Sequence, residues 1–177
     1  MQANIQTMRK PRLIILNIPE DITTTNVEDT LLAQNPDLNI IKGDINPKFT
    51  YQTKKQNRNL VMEVEARTRN LLTQRRIKLG WQICKIDDYL AANMCFKCSR
   101  FNHRQRDCRG EQTCPLGAGS HTLKECSADP RSYSCINCTI FNRHNQGKNI
   151  SMDHSSLDRR CPSMQAIVEK YKQNTDY

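Results

Sequence analysis

The sequence predicts an α+β fold: a β-α-β-β-α-β domain followed by a small cysteine- and histidine-rich module held together by metal. Two observations carry this expectation. Apolar residues recur in periodic runs up to about residue 94 and become scarce beyond it. Eight of the nine cysteines then fall between Cys95 and Cys161, together with all four histidines. At 177 residues and 37% hydrophobic content, the chain can bury one modest core and fold one metal-held module, but not two large domains.

Residues 12–18 (RLIILNI) form a short apolar run closed by Pro19, which reads as a buried strand. Thr25 then reads as a helix N-cap with Glu28 completing a capping box, and Val27, Leu31 and Leu32 supply the apolar face up to Asn35 and Pro36. Residues 47–53 place Phe49 and Tyr51 on one face of a strand, and 59–64 (NLVMEV) follow after the polar turn 54–58, which together predict a hairpin. A second helix is expected over 66–76 with Leu71 and Leu72 facing inward, ended by Gly80. A last strand is expected over 81–86, where the alternation of Trp81, Ile83 and Lys85 with Gln82, Cys84 and Ile86 does not single out one face. This order is the split βαβ arrangement of ferredoxin-like folds.

In topology the segment resembles an RNA-recognition motif, with Leu13 to Ile18 in the place of the first RNA-contacting strand. Such domains stack bases on sheet aromatics. Here Ile14 stands where the first strand would need a ring, and Asn59, Val61 and Val64 stand where the third would. Phe49 and Tyr51 remain, and they are expected to pack against the core or a sheet edge. The expected role of this sheet is an ordered spacer or a protein-contact platform.

The formal net charge is +9, shared between the halves: residues 1–94 hold 14 Lys/Arg against 10 Asp/Glu, and residues 95–177 hold 13 against 8. A cation of this size favours polyanions through counterion release. No apolar stretch approaches the roughly 20 residues needed to span a bilayer. Residues 1–10 lack the apolar segment of a signal peptide. The expectation is a soluble protein of the cytoplasm or nucleus, and in that setting the clustered cysteines point to metal and not to disulfides.

Cys95-x2-Cys98-x4-His103-x4-Cys108 is a full set of tetrahedral zinc ligands, a zinc knuckle whose binding energy doubles as folding energy. Phe96 and Phe101 are expected to project from it as stacking faces, with Lys97, Arg100, Arg104 and Arg106 around them for phosphates. Cys114-x6-His121-x4-Cys126 supplies three ligands, and a shortened knuckle would need cysteine where Gly117 stands. A third set begins at Cys135-x2-Cys138 and ends at Cys161, with His144 and His154 both available; local spacing favours His144 without deciding the matter. Pro162 suits the first turn of a helix in which Met164, Ile167, Val168 and Tyr171 form an apolar stripe.

The run CFKCSRFNHRQRDC, the shorter knuckle-like stretch after it and CINC…HSSLDRRCPSMQAIVEKYKQNTDY resemble the Gag-like first-reading-frame proteins of insect-type non-LTR retrotransposons. The resemblance spans about residues 12–177 and includes GWQICKIDDYL before the first knuckle. Members usually carry a longer N-terminal region. It implies a degenerate RNA-recognition-like domain, three closely spaced CCHC knuckles and coating of element RNA in ribonucleoprotein particles. It also implies that His154 completes the third site with Cys135, Cys138 and Cys161, and that Gly117 occupies a cysteine position.

The expected organisation is therefore an RNA-recognition-like domain at about 11–90, a zinc-knuckle array at about 94–161, and a C-terminal helix and tail over 162–177. The expected function is zinc-dependent binding of single-stranded RNA or DNA by a non-enzymatic protein with two zinc sites and a less complete third. No membrane partner is expected, and self-association is left open. The rival readings are a zinc-module adaptor that binds another protein and, behind it, a zinc hydrolase or deaminase using the three-ligand site.

Overall fold

The computed structural model describes residues 8–145 and 147–177; residues 1–7, part of the stretch read above for a leader segment, lie outside the described residues, as does Gln146. The chain divides into two compact units, one running to Leu90 and including Asn174–Tyr177, the other covering Ala91–Gln173. Among the described residues no helix is long and apolar enough to cross a membrane.

The first unit is α+β. Its strands are β1 (Arg12–Leu16), β2 (Ile45–Gln52), β3 (Arg58–Val64), β4 (Ile77–Leu79) and β5 (Gln82–Asp88), and its helices are α1 (Val27–Gln34) and α2 (Ala66–Thr73). They form one five-stranded sheet in the order β2-β3-β1-β5-β4, antiparallel at every pairing. Leu13 and Ile15 of β1 pack in one cluster with Leu60, Met62 and Val64 of β3, Cys84 and Ile86 of β5, Val27 and Leu31 of α1 and Leu72 of α2. Both helices therefore cover the same face of the sheet. Each fully buried Leu or Ile here stabilises the unit by roughly 1.5–3 kcal/mol.

Three local features differ from the sequence reading. The cap of α1 is Asn26, not Thr25. The Asn26 amide oxygen accepts the Thr23 N–H at 2.8 Å, while Glu28 reaches away to accept the Gly43 N–H at 2.7 Å. The second helix stops at Thr73, because the apolar residues beyond it, Ile77 and Leu79, enter the core as the short edge strand β4. In β5 the inward residues are Cys84 and Ile86, and Ile83 and Lys85 point to solvent.

Of the two places expected for Phe49 and Tyr51, the core and a sheet edge, the structure shows the second: both lie on the edge strand β2. They stand on the sheet face that neither helix covers, 42% and 38% exposed, with Phe49 edge-on to Tyr89 at 6.2 Å between ring centroids. Pairing of Phe49 with Val61 and of Tyr51 with Asn59 puts them on the side opposite the core, so they cannot pack into it.

Asn35, buried after α1, closes the β4 edge of the sheet. Its amide nitrogen donates to the Lys78 carbonyl at 2.8 Å and its amide oxygen accepts the Lys78 N–H at 2.9 Å. One side chain thus supplies the pairing that a further strand would give to β4.

The second unit contains two helices, α3 (Ile136–His144) and α4 (Pro162–Gln173), joined by turns. Its interior is unusual in composition. Among the described residues of this unit, Phe101 and Pro115 are the buried apolar side chains that are not cysteine; Cys95, Cys98, Cys114, Cys135, Cys138 and Cys161 fill the remaining buried positions of that kind. Met94, Met152, Met164 and Ile167 pack around Phe101 and the last three of these cysteines. So little hydrocarbon cannot offset the entropy of ordering about 80 residues, and metal coordination is the energy source its residues offer.

Candidate metal centres

Three groups of Cys and His side chains converge in the second unit: Cys95, Cys98, His103 and Cys108; Cys135, Cys138, His154 and Cys161; and Cys114, His121 and Cys126. In each, the candidate ligand atoms lie within 4.8 Å of one another. Thiolate and imidazole donors at this separation fit a tetrahedral divalent ion.

The first centre is built on a tight turn. The Cys95 N–H donates to the Arg100 carbonyl and the Ser99 N–H to the Cys95 carbonyl, both at 2.8 Å, with Ser99 in the left-handed region at φ 55°. A single 3-10 turn, Gln105–Asp107, then returns the chain so that Cys108 meets the first pair. His103 Nε2 lies 3.2 Å from Cys98 Sγ, while Nδ1 lies 3.3 Å from the Phe101 carbonyl. Donation from Nδ1 to that carbonyl leaves Nε2 as the ligand atom and fixes the ring. Gly110 lies so close behind that a Cβ there would sit 3.2 Å from the Cys98 Cβ.

The thiols of this centre are split in acidity. Burial pushes Cys98 up to about 11, whereas the neighbouring His103 holds Cys108 down at about 6. Crowded thiols cannot all ionise side by side without a cation, and a divalent ion removes that conflict.

The surroundings of the first centre revise one expectation. Phe96 is 79% exposed, but Phe101 is 7% exposed and belongs to the core of the unit. Its N–H donates to the Asn137 side chain at 3.2 Å, and its strand-like bridge to Met94 turns the ring inward. Phe101 is therefore a packing residue and not a stacking face. Arg100, Arg104 and Arg106 are exposed and Lys97 is half-buried. Arg109, which sequence reasoning passed over, joins Arg100, His103, Asp107, Cys98 and Gly110 around an open cavity of about 320 Å³. Its only sequence signal was its place directly after Cys108.

The second complete centre needs a long loop. Cys135 caps α3 and Cys138 lies in its first turn. Cys161 approaches from the start of α4, its Sγ 3.7 Å from Cys135 and 3.5 Å from Cys138. His154 supplies Nε2 3.5 Å from Cys138 Sγ, while His144 sits exposed at the end of α3, outside the cluster. Asn142 explains the choice. Its amide group donates to the Ile150 carbonyl and accepts the Ile150 N–H, both at 2.9 Å, which pins the loop against α3 and brings 152–154 back to the cysteines. Donation from the Cys161 thiol, helped by the Ser156 hydroxyl, lowers Cys135 to about 4, and the Cys161 thiol is raised in turn. A helix N-terminus favours thiolate in the same way.

The three-ligand group repeats the backbone of the first centre turn for turn. The Cys114 N–H donates to the Gly119 carbonyl at 2.8 Å and the Ala118 N–H to the Cys114 carbonyl at 3.0 Å. Ala118 is left-handed at φ 58° as Ser99 is, and a 3-10 turn, Leu123–Glu125, precedes Cys126 as one precedes Cys108. Gly117 occupies the place of Cys98 in this repeat. Gly119 leaves room for the ligand ring: a Cβ there would lie 2.7 Å from the His121 ring and would push it aside. His121 Nε2 is buried and has no hydrogen-bond partner, a costly state that a metal bond relieves.

No protein-family model, curated protein or solved structure matches the chain.

Proposed function

We propose that the chain is a zinc-dependent single-stranded nucleic-acid-binding protein, with RNA as its principal ligand, and that it serves as a Gag-like nucleoprotein. The carrying observation is Phe96. The first cysteine turn holds this ring 79% exposed, in a loop that also carries Lys97 and the exposed Arg100, Arg104, Arg106 and Arg109. An exposed ring on a metal-closed loop rich in arginine suits an unpaired base flanked by phosphates, the ring stacking on the base and the guanidiniums meeting the backbone. Zinc is the metal that a Cys3His set in a small structural module selects.

The first unit supports this reading at the level of topology. Antiparallel order β2-β3-β1-β5 with both helices on one face fits a ferredoxin-like, RNA-recognition-like domain carrying one added edge strand, β4. The Gag-like assignment rests on the sequence resemblance of the knuckle region.

Fluorescence anisotropy of a labelled single-stranded RNA tests the proposal. Phe96→Ala in the zinc-loaded protein loses one stacking contact, worth about 1–3 kcal/mol, and weakens binding by roughly 5- to 150-fold. Unchanged affinity favours a protein-interaction adaptor. That second reading draws on Trp81 and Ile83 beside β4, 93% and 67% exposed.

A further inference from the structure

We infer that the middle cysteine–histidine group is a metal site with three protein ligands and one exchangeable position, which takes a small thiol from solution in place of water. This rests on the metal reading of the second unit and goes beyond its nucleic-acid role. Cys114, His121 and Cys126 converge within 4.8 Å, and the buried, partnerless His121 Nε2 marks where a cation belongs. The Leu116 N–H donates to Cys114 Sγ at 3.4 Å, the contact that stabilises a thiolate.

Among the described residues, no fourth Cys, His, Asp or Glu joins this group. By the repeat of turns described above the fourth position falls to residue 117, which is glycine; a Cβ at Gly117 would meet Ala128 and the Ser132 carbonyl at ordinary contact distances and nothing else within 4 Å. Glu125, the nearest carboxylate in sequence, is engaged elsewhere. Its Oε2 accepts both the Thr122 N–H at 2.8 Å and the Thr122 hydroxyl at 2.9 Å. Nor does a second copy of the chain offer a spare thiolate: the one cysteine outside the three groups, Cys84, is 2% exposed. Three protein ligands leave a tetrahedral ion with one bond to solvent, and in the repeat the fourth position is the one that the Cys98 thiol fills in the first centre, so a thiol from solution restores the same donor set. The thiol's proton passes to solvent as its sulfur replaces the bound water.

Cobalt(II) titration of the metal-stripped full chain, read by visible absorption and followed by addition of 2-mercaptoethanol, tests this. The expected result is three equivalents, the third held at least about tenfold more weakly than the others, with bands that shift when the thiol is added. His121→Ala removes that equivalent and the thiol response. Gly117→Cys keeps three equivalents, tightens the third and abolishes the response. Saturation at two equivalents overturns the inference while leaving the four-ligand centres intact, and so does a third equivalent indifferent to thiol. Loss of RNA binding in a protein that still takes up three equivalents touches the proposed function alone.

Discussion

Phe96 and Phe101 are both aromatic residues in one irregular loop, and composition treats them alike. The fold separates them: one ring is in solvent, while the other closes the core against Met94 and Asn137. Phe101→Ala therefore lowers the stability of the second unit by about 3–5 kcal/mol, whereas Phe96→Ala leaves its thermal midpoint unchanged; zinc-loaded thermal melts of the two variants measure the contrast. In periodic segments, burial was legible from the sequence. In a loop with neither helical nor strand period it was not, because the inward ring is chosen by a backbone bridge and an Asn137 hydrogen bond from a distant helix. Asn35 is a similar case, a polar residue whose burial follows from its pairing with Lys78. Asn35→Leu strands the Lys78 N–H and carbonyl and costs about 1–3 kcal/mol per group left unpaired, read as a fall in the urea midpoint of the first unit.

At the scale of elements, β1 and β3 were legible as short apolar runs bounded by turn residues, and α1 as an apolar face that ends at Asn35 and Pro36. Strand β4 was not: three residues after a helix of similar texture carry too short a pattern to separate from it. The ligand sets divide in the same way. The first needed only local spacing. The choice between His144 and His154 depended on Asn142 clamping Ile150, which no spacing rule reveals. His144→Ala accordingly leaves metal stoichiometry unchanged, and His154→Ala weakens one four-ligand centre; competition with a chromophoric chelator distinguishes the two. The acidities set the pH dependence. Metal binding must displace the proton that burial holds on Cys98, about 11, and the proton on Cys161, also raised. Protons are therefore released on binding, and affinity falls as pH falls. Zinc competition shows tighter binding at about pH 8 than at about pH 6 if this holds, and pH-independent affinity contradicts it.

At the scale of the whole molecule, two different energy sources hold the two units. The first is held by a hydrocarbon core under one face of a sheet, and the second has an interior of cysteines arranged so that they could hold metal ions. Chelation unfolds residues 91–173 and spares the sheet: hydrogen exchange accelerates across α3 and the cysteine turns while β1, β3 and β5 stay protected. The boundary was legible as a change of texture near residue 94, and the structure draws it at Leu90/Ala91. The central claim, as proposed above, is that the second unit binds single-stranded nucleic acid through the exposed Phe96 and the cations of the same cysteine loop. Anisotropy of a labelled single-stranded RNA at several salt concentrations, with the protein zinc-loaded and then chelated, tests it most directly. The account predicts tight binding in the loaded protein, a steep loss with salt from counterion release, and near-complete loss on chelation. Negligible binding by the zinc-loaded protein, or binding indifferent to zinc, contradicts it.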